Sequence, residues 1–234
     1  MEPLREAIGS AVRLLTHGDP YTMQVLWLSV RVSGTATAGA LVVGLPLGMA
    51  IAFGRFPGRR LVLTLVNTGM GMPPVVVGLV VTILLWRSGP LGALGLLYTP
   101  TAMILAQAVI ALPLVVALSA AALEQVDEEF RLQLRGLGAS RLRSAWEVAR
   151  EARLPLLAAA MAGFGAAVSE VGAALMVGGN LRGQTRVLTT AAVLETSKGN
   201  FDLALAFGLV LLLLAFAVNL ALTLVQLHGR PTRR

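Results

Sequence analysis

Residues 124 to 155 form the one long stretch of this chain that has no place in hydrocarbon. They include Glu124, Asp127, Glu128, Glu129, Arg131, Arg135, Arg141, Arg143, Glu147, Arg150, Glu151 and Arg153, and apolar runs of membrane-spanning length lie on both sides. A charge at the bilayer centre is costly, so this segment belongs in water while its neighbours belong in lipid. Val126, Phe130, Leu134 and Leu137 recur at helical spacing, and after Gly136 and Gly138 a second stripe follows at Leu142, Ala145, Trp146 and Ala149. Arg143 with Glu147, and Glu147 with Arg150, stand at pairing distance on the opposite face. The pattern predicts two short amphipathic helices joined at a glycine elbow and closed by Pro155.

Composition supports the same division. The chain has 234 residues, 56% hydrophobic and only 13% charged, with a mean hydropathy of +0.78. That is too apolar for a soluble globule, and we expect an all-α polytopic bundle forming one transmembrane domain over residues 1–234. Cysteine is absent, which removes disulfides and thiol chemistry. The net charge of +7 comes from arginines gathered in loops between apolar runs, a pattern that membrane orientation explains better than nucleic acid does.

Leu4, Ile8, Val12 and Leu15 predict a short interfacial helix over residues 1–19, which lacks the layout of a cleavable signal peptide. His17, beside a Gly-Asp-Pro turn, reads as a solvated loop histidine. Five runs are long enough to span: about 22–53, 61–86, 99–123, 156–179 and 201–228. Arg55, Arg59, Arg60, the arginines of 124–155 and Arg230, Arg233 and Arg234 fall on one side of this arrangement. That side should be cytoplasmic, with the N-terminus outside and the C-terminus inside.

Pro46, Pro73, Pro74 and Pro113, with Gly34, Gly39, Gly44, Gly48, Gly163, Gly165 and Gly172, lie in or at the start of spans and permit close packing and bending. Two charges, Arg31 and Glu170, fall at similar depth from the outer face, and we expect them to pair. Asn67, Gln107 and Asn219 are expected to bond from helix to helix. Asn180 to Thr190 gathers hydroxyls, amides, Arg182 and Arg186 near the outer mouth, an environment that tolerates a passing oxyanion; Lys198 should screen Glu195. No phosphate-binding loop, paired-histidine metal site or serine–histidine–acid set is present in the sequence.

A short helix, Gly138, a second helix and then Leu154-Pro155 at the entry to a span resemble the cytoplasmic docking loop of permease subunits of binding-protein-dependent ABC importers. That family's EAA positions read Leu132, Gln133 and Leu134 here, and Leu154-Pro155 arrives four residues late. The VGGN of 177–180, the Thr185-Arg186 that follows and the ETSKGNFDLALA of 195–206 are similar to permeases of the tungstate, molybdate and sulfate group, nearest the tungstate branch. The resemblance implies that Gly138, Ala139, Ser140, Arg141, Leu142 and Trp146 couple to an ATPase. It also implies that Gly178, Gly179, Asn180, Thr185, Arg186 and Thr189 line the translocation path or its outer gate.

The function so implied is the non-catalytic, channel-forming subunit of an ATP-driven oxyanion importer in a bacterial or archaeal inner membrane. Tungstate is the expected cargo, with molybdate or sulfate as alternatives. Because five helices enclose no pore, a homodimer is expected. The implied partners are two copies of an ATP-binding subunit and an extracytoplasmic binding protein. ATP and Mg belong to the ATPase, with no cofactor in this chain. A passive channel, an ion-driven secondary transporter and a membrane-embedded enzyme are the readings from other classes.

Overall fold

The computed structural model describes residues 2–16 and 19–228. Expectations for His17, the Leu4, Leu15 and His228 side chains and the tail arginines lie outside what it describes. The described residues form eleven α-helices and no strand: α1 Glu2–Thr16, α2 Pro20–Phe53, α3 Arg59–Met70, α4 Pro74–Leu85, α5 Pro100–Glu124, α6 Glu128–Gly136, α7 Arg141–Glu151, α8 Arg153–Val168, α9 Gly172–Gly178, α10 Leu188–Ser197 and α11 Phe201–His228. The expected all-helical membrane bundle is the observed one.

Among the described residues only α2, α5 and α11 are long and apolar enough to cross a membrane as single helices. The run at 61–86 is instead two twelve-residue helices, α3 and α4, bent by 100°. The cause is local: Pro73 and Pro74 remove two amide donors and collide with a continuing helix, while Gly71 gives the chain room to turn. The run at 156–179 divides at 169–171 into α8 and α9. At sixteen residues α8 rises only about 24 Å, and it meets α7 at 74°. Among the described residues three of the expected spans are single helices, and the count reaches the expected five when the bent pairs α3–α4 and α7–α8 are each one span.

The bundle centres on α2 against α5. Val32, Ala36, Ala40, Gly44 and Gly48 recur every four residues on the buried face of α2. A Cβ at Gly48 would lie 2.8 Å from the Ser119 Cβ, and one at Gly44 would lie 2.8 Å from Val115 Cγ1, so small residues set the helix separation. Across this contact Ser33 Oγ donates to Gln107 Oε1 at 3.1 Å, the expected bond between helices. Asn219 instead donates to Ala215 of its own helix, and Asn67 is exposed. Side chains cap the starts of α2 and α7: Asp19 accepts from Thr22 N at 2.8 Å, and Ser140 accepts from Arg143 N at 3.2 Å.

At the other edge α1 seats Ala11 and Leu14 in a cluster with Val25, Leu188, Phe207 and Val210. Ile8 and Val12 face outward, as an interfacial helix requires. Leu212, Leu213, Phe216 and Leu220 of α11, and Leu79, Val80 and Ile83 of α4, are exposed apolar surface suited to lipid or a second copy.

Candidate functional site

Three regions bear on function: the α6–α7 hairpin, the loop between α9 and α10, and a cavity between the two helix breaks. Asp127 opens α6 by accepting from Glu129 N at 3.0 Å. Gly138 closes it at φ +79, with Gly138 N bonded to Arg135 O and Ala139 N to Leu134 O, both at 3.0 Å. Nothing lies within 4 Å of a Cβ added at Gly138. Glycine is needed there for its left-handed backbone, not for clearance.

Val126, Phe130 and Leu134 pack on Leu123, Val148, Ala149 and Ala152, which fastens the hairpin to the ends of α5 and α8. The expected apolar stripes are not wholly buried. Leu137 is 85% exposed, Leu142 83% and Trp146 64%, so these three form an open apolar surface on an otherwise charged hairpin. Beside them Glu147 pairs with Arg143 at 2.7 Å and with Arg150 at 4.0 Å, as the spacing predicts. Of the other coupling candidates, Ala139 is half-buried and Ser140 and Arg141 are exposed.

The α9–α10 loop turns at Gly179, φ +68, and Asn180, φ +52. Thr185 is fully buried: its Oγ1 donates to Gly178 O at 2.5 Å and accepts from Leu181 N at 2.9 Å. Arg186 donates to Asn180 Oδ1 and Asn180 O, each at 3.0 Å, and to the Tyr21 hydroxyl at 2.9 Å. Thr189 Oγ1 donates to Glu170 O at 3.0 Å. The Arg182 guanidinium stacks 4.8 Å above the Tyr21 ring. The structure thus brings Gly178, Gly179, Asn180, Thr185, Arg186 and Thr189 together, with their polar groups bonded to one another and to α2. They form a brace.

The Arg31–Glu170 pair is not formed. Arg31 lies exposed on α2, whereas Glu170 is 6% exposed and its Oε1 accepts from Ala173 N at 2.8 Å, capping α9. Similar depth in the bilayer does not place two groups on facing sides of their helices, and a backbone amide serves the carboxylate instead.

Glu170 and Ser169 face Gly69, Met70, Met72 and Pro73 across a cavity of about 420 Å³, so the break between α8 and α9 confronts the break between α3 and α4. Next to it α4 and α9 close tightly: a Cβ at Gly78 would lie 2.6 Å from the Ala173 Cα, and one at Gly172 would lie 2.8 Å from Val75 Cγ2. Sequence reading did not single out Met70, Met72 or Ser169. The adjacent Pro73 and Pro74 were the available signal.

At the end of α10, Glu195 accepts from Lys198 Nζ and Asn200 Nδ2, both at 2.8 Å. The Asn200 amide first, then Lys198, holds its carboxyl below the usual carboxylate range. The expected screening by Lys198 is present. Among the described residues no group of three His, Cys, Asp or Glu side chains is placed to hold a metal.

Residues 44–230 match the family described as "Binding-protein-dependent transport system inner membrane component". The chain belongs to this family. It is accordingly a multi-pass inner membrane protein. Among relatives of this inner membrane component, the "Tungstate uptake system permease protein TupB" of Peptoclostridium acidaminophilum is 41% identical over 97% of this chain and 99% of its own. A "Probable anion ABC transporter permease protein" of Haloferax volcanii is 43% identical over 85% of this chain and 88% of its own. The "Molybdenum transport system permease protein ModB" of Escherichia coli is 29% identical over 74% and 79%. A solved structure titled "Crystal structure of an amino acid ABC transporter with histidines" has a TM-score of 0.67, covering 92% of this chain and 96% of its own at 17% identity, which supports the fold.

Proposed function

We propose that this permease is the channel-forming subunit of an ATP-driven importer whose cargo is tungstate. One observation carries the cargo assignment: a tungstate uptake permease is 41% identical along nearly the whole chain, whereas sulfate and molybdenum permeases are 30% and 29% identical over shorter stretches. Membership of a binding-protein-dependent family implies an ATP-binding subunit and a substrate-binding protein as partners. We assign two permease copies and two ATPases, with the path on the dimer axis, the N-terminus outside and the α6–α7 hairpin in the cytoplasm. ATP and Mg are used by the ATPase, and this chain has no catalytic role.

Leu137, Leu142 and Trp146 supply exposed apolar side chains for docking into a partner groove. The hairpin is packed onto α5 and α8, so movement of α7 reaches α8 through their 74° junction and then the break that holds Ser169 and Glu170. Two facing breaks make a hinge line at the cavity, and parting α4 from α9 opens it. The α9–α10 brace keeps the outer rim fixed while the hinge moves. Among the described residues the cavity lining presents one carboxylate, Glu170, and no cation. It therefore does not trap an anion, as passage requires.

The test is ATP hydrolysis by the permease co-purified with its ATPase in lipid vesicles, with the binding protein added empty or loaded with tungstate, molybdate or sulfate. Stimulation by the tungstate-loaded form alone is the expected result. Stimulation by another loaded form reassigns the cargo. If no ATPase associates with the chain, the importer reading fails.

A further inference from the structure

A cleft of about 1070 Å³ opens where α2 and α5 leave the apolar bundle, between the 54–59 turn and the inner face of the α6–α7 hairpin. Five arginines line it, Arg55, Arg59, Arg131, Arg135 and Arg141, against the single acid Glu128. Arg59 is neutralised by Glu124. The other four form no ion pair among the described residues, so like charges converge without compensation.

Two buried polar atoms of lining residues, Arg131 Nε and Ser144 Oγ, have no hydrogen-bond partner. Arg131 is otherwise fixed: it donates to Leu123 O and its guanidinium lies 5.1 Å above the Phe53 ring. A fixed arginine with an unpaired inner N–H, ringed by three exposed ones, is suited to a phosphate-bearing anion.

We propose that this cleft binds the headgroup phosphate of an anionic phospholipid. Its position favours a lipid over a free ion, because Ala52 and Phe53 end a membrane-crossing helix. Phe53, Phe56 and Leu132 give the cleft apolar wall beside its arginines. The volume exceeds what one tetrahedral ion fills and suits a phosphoglycerol group with the start of its acyl chains.

Leu137, Leu142 and Trp146, the apolar surface assigned to the ATPase, lie outside the cleft lining; of the coupling candidates only Ala139 and Arg141 belong to it. Arg141, Ser144, Ala145 and Val148 share the cleft face of α7, while Leu142, Arg143, Trp146 and Arg150 occupy the opposite face. A bound anionic lipid would tie the hairpin to the membrane beside the ends of α2 and α5. The proposal does not depend on the cargo.

The test is native mass spectrometry of the full-length permease, alone and with its ATPase, released from micelles holding equal phosphatidylglycerol and phosphatidylcholine. Selective retention of phosphatidylglycerol is expected in both forms. Arg135 and Arg141 are exposed rim residues, so the double variant R135Q/R141Q should fold, and it should bind the anionic lipid about tenfold more weakly or worse. R87Q, on the loop after α4, should retain lipid as the unaltered chain does. Equal retention of both lipids, or undiminished retention by R135Q/R141Q, overturns the proposal. Full displacement by millimolar sodium phosphate or sodium tungstate would make the occupant a free oxyanion, and loss of lipid on ATPase binding would make it the partner protein; either outcome rejects the lipid assignment.

Discussion

Arg186 donates to the hydroxyl of Tyr21 at 2.9 Å, joining the α9–α10 loop to the first turn of α2 across 165 positions of sequence. The same guanidinium holds both the side chain and the carbonyl of Asn180. Tyr21→Phe removes one bond and should cost about 1 kcal/mol, whereas Arg186→Ala also strips Asn180 of its donors and should cost about 2–3 kcal/mol. Thermal unfolding of both variants and their double mutant in detergent checks this, with a positive coupling energy expected. Additive losses would mean that the two side chains act separately.

Helix separation in the core should depend on single glycines. Gly48→Ala places a Cβ 2.8 Å from the Ser119 Cβ, forces α2 and α5 apart and should cost about 1–3 kcal/mol. Gly39→Ala meets nothing within 4 Å and should leave stability unchanged or raise it by about 0.5–1 kcal/mol. Melting temperatures of the two variants should move in opposite directions or differ clearly in size.

Trp146→Ala should unfold like the unaltered chain, within about 0.5 kcal/mol, because the ring is mostly solvent-exposed. Co-purification with the ATPase should nonetheless fall. Gly138→Val should lose coupling through its φ of +79, at a cost of about 1–2 kcal/mol, while Gly138→Asn, which tolerates that backbone, should retain uptake. Equal uptake by the valine and asparagine variants would remove the elbow from the coupling route.

The Glu195 carboxyl is held below the usual carboxylate range by Asn200 and Lys198. Its folded value thus lies below its unfolded one, so the stabilisation is fully present above the ordinary value near about 4.3 and is lost as pH falls through the lowered one. Asn200→Ala removes the larger cause. The variant should be less stable at pH 6, and its further loss of stability on acidification should be smaller and should end at a higher pH than in the unaltered chain, read as melting temperature between about pH 6 and 3. Coincident acid profiles would show that Asn200 does not set this carboxyl.

Much of this architecture is legible in the residues themselves. The α6–α7 hairpin announces itself because charge excludes it from lipid and its caps, Asp127, Gly138 and Ser140, are local. The long helices α2, α5 and α11 follow from uninterrupted apolar length. The break at 169–171 has no proline to mark it. It rests on a local cap, Ala173 N donating to the Glu170 carboxylate, and on a longer-range bond from Thr189 to the Glu170 carbonyl. Hydropathy ran straight through the proline break at 73–74 because side chains on both sides stay apolar. Arg31 and Glu170 were matched by depth alone, which says nothing of azimuth. Composition gathers Asn180, Thr185, Arg186 and Thr189 near one loop but does not show which groups their side chains bond.

The kink between α3 and α4 also bears on how the protein is made. Pro74 has no amide hydrogen to give the Met70 carbonyl, whereas the Gly69 carbonyl, which Pro73 cannot serve, accepts from Met72 N at 3.3 Å. Backbone left short of donors is tolerated at membrane depth only where protein or water covers it. The cover here includes Ala166, Ser169 and Glu170, which leave the ribosome about 100 residues after Gly69. The α3–α4 pair must therefore wait near the translocon or at the bilayer surface until α8 arrives. Biogenesis of this chain cannot proceed strictly one helix at a time.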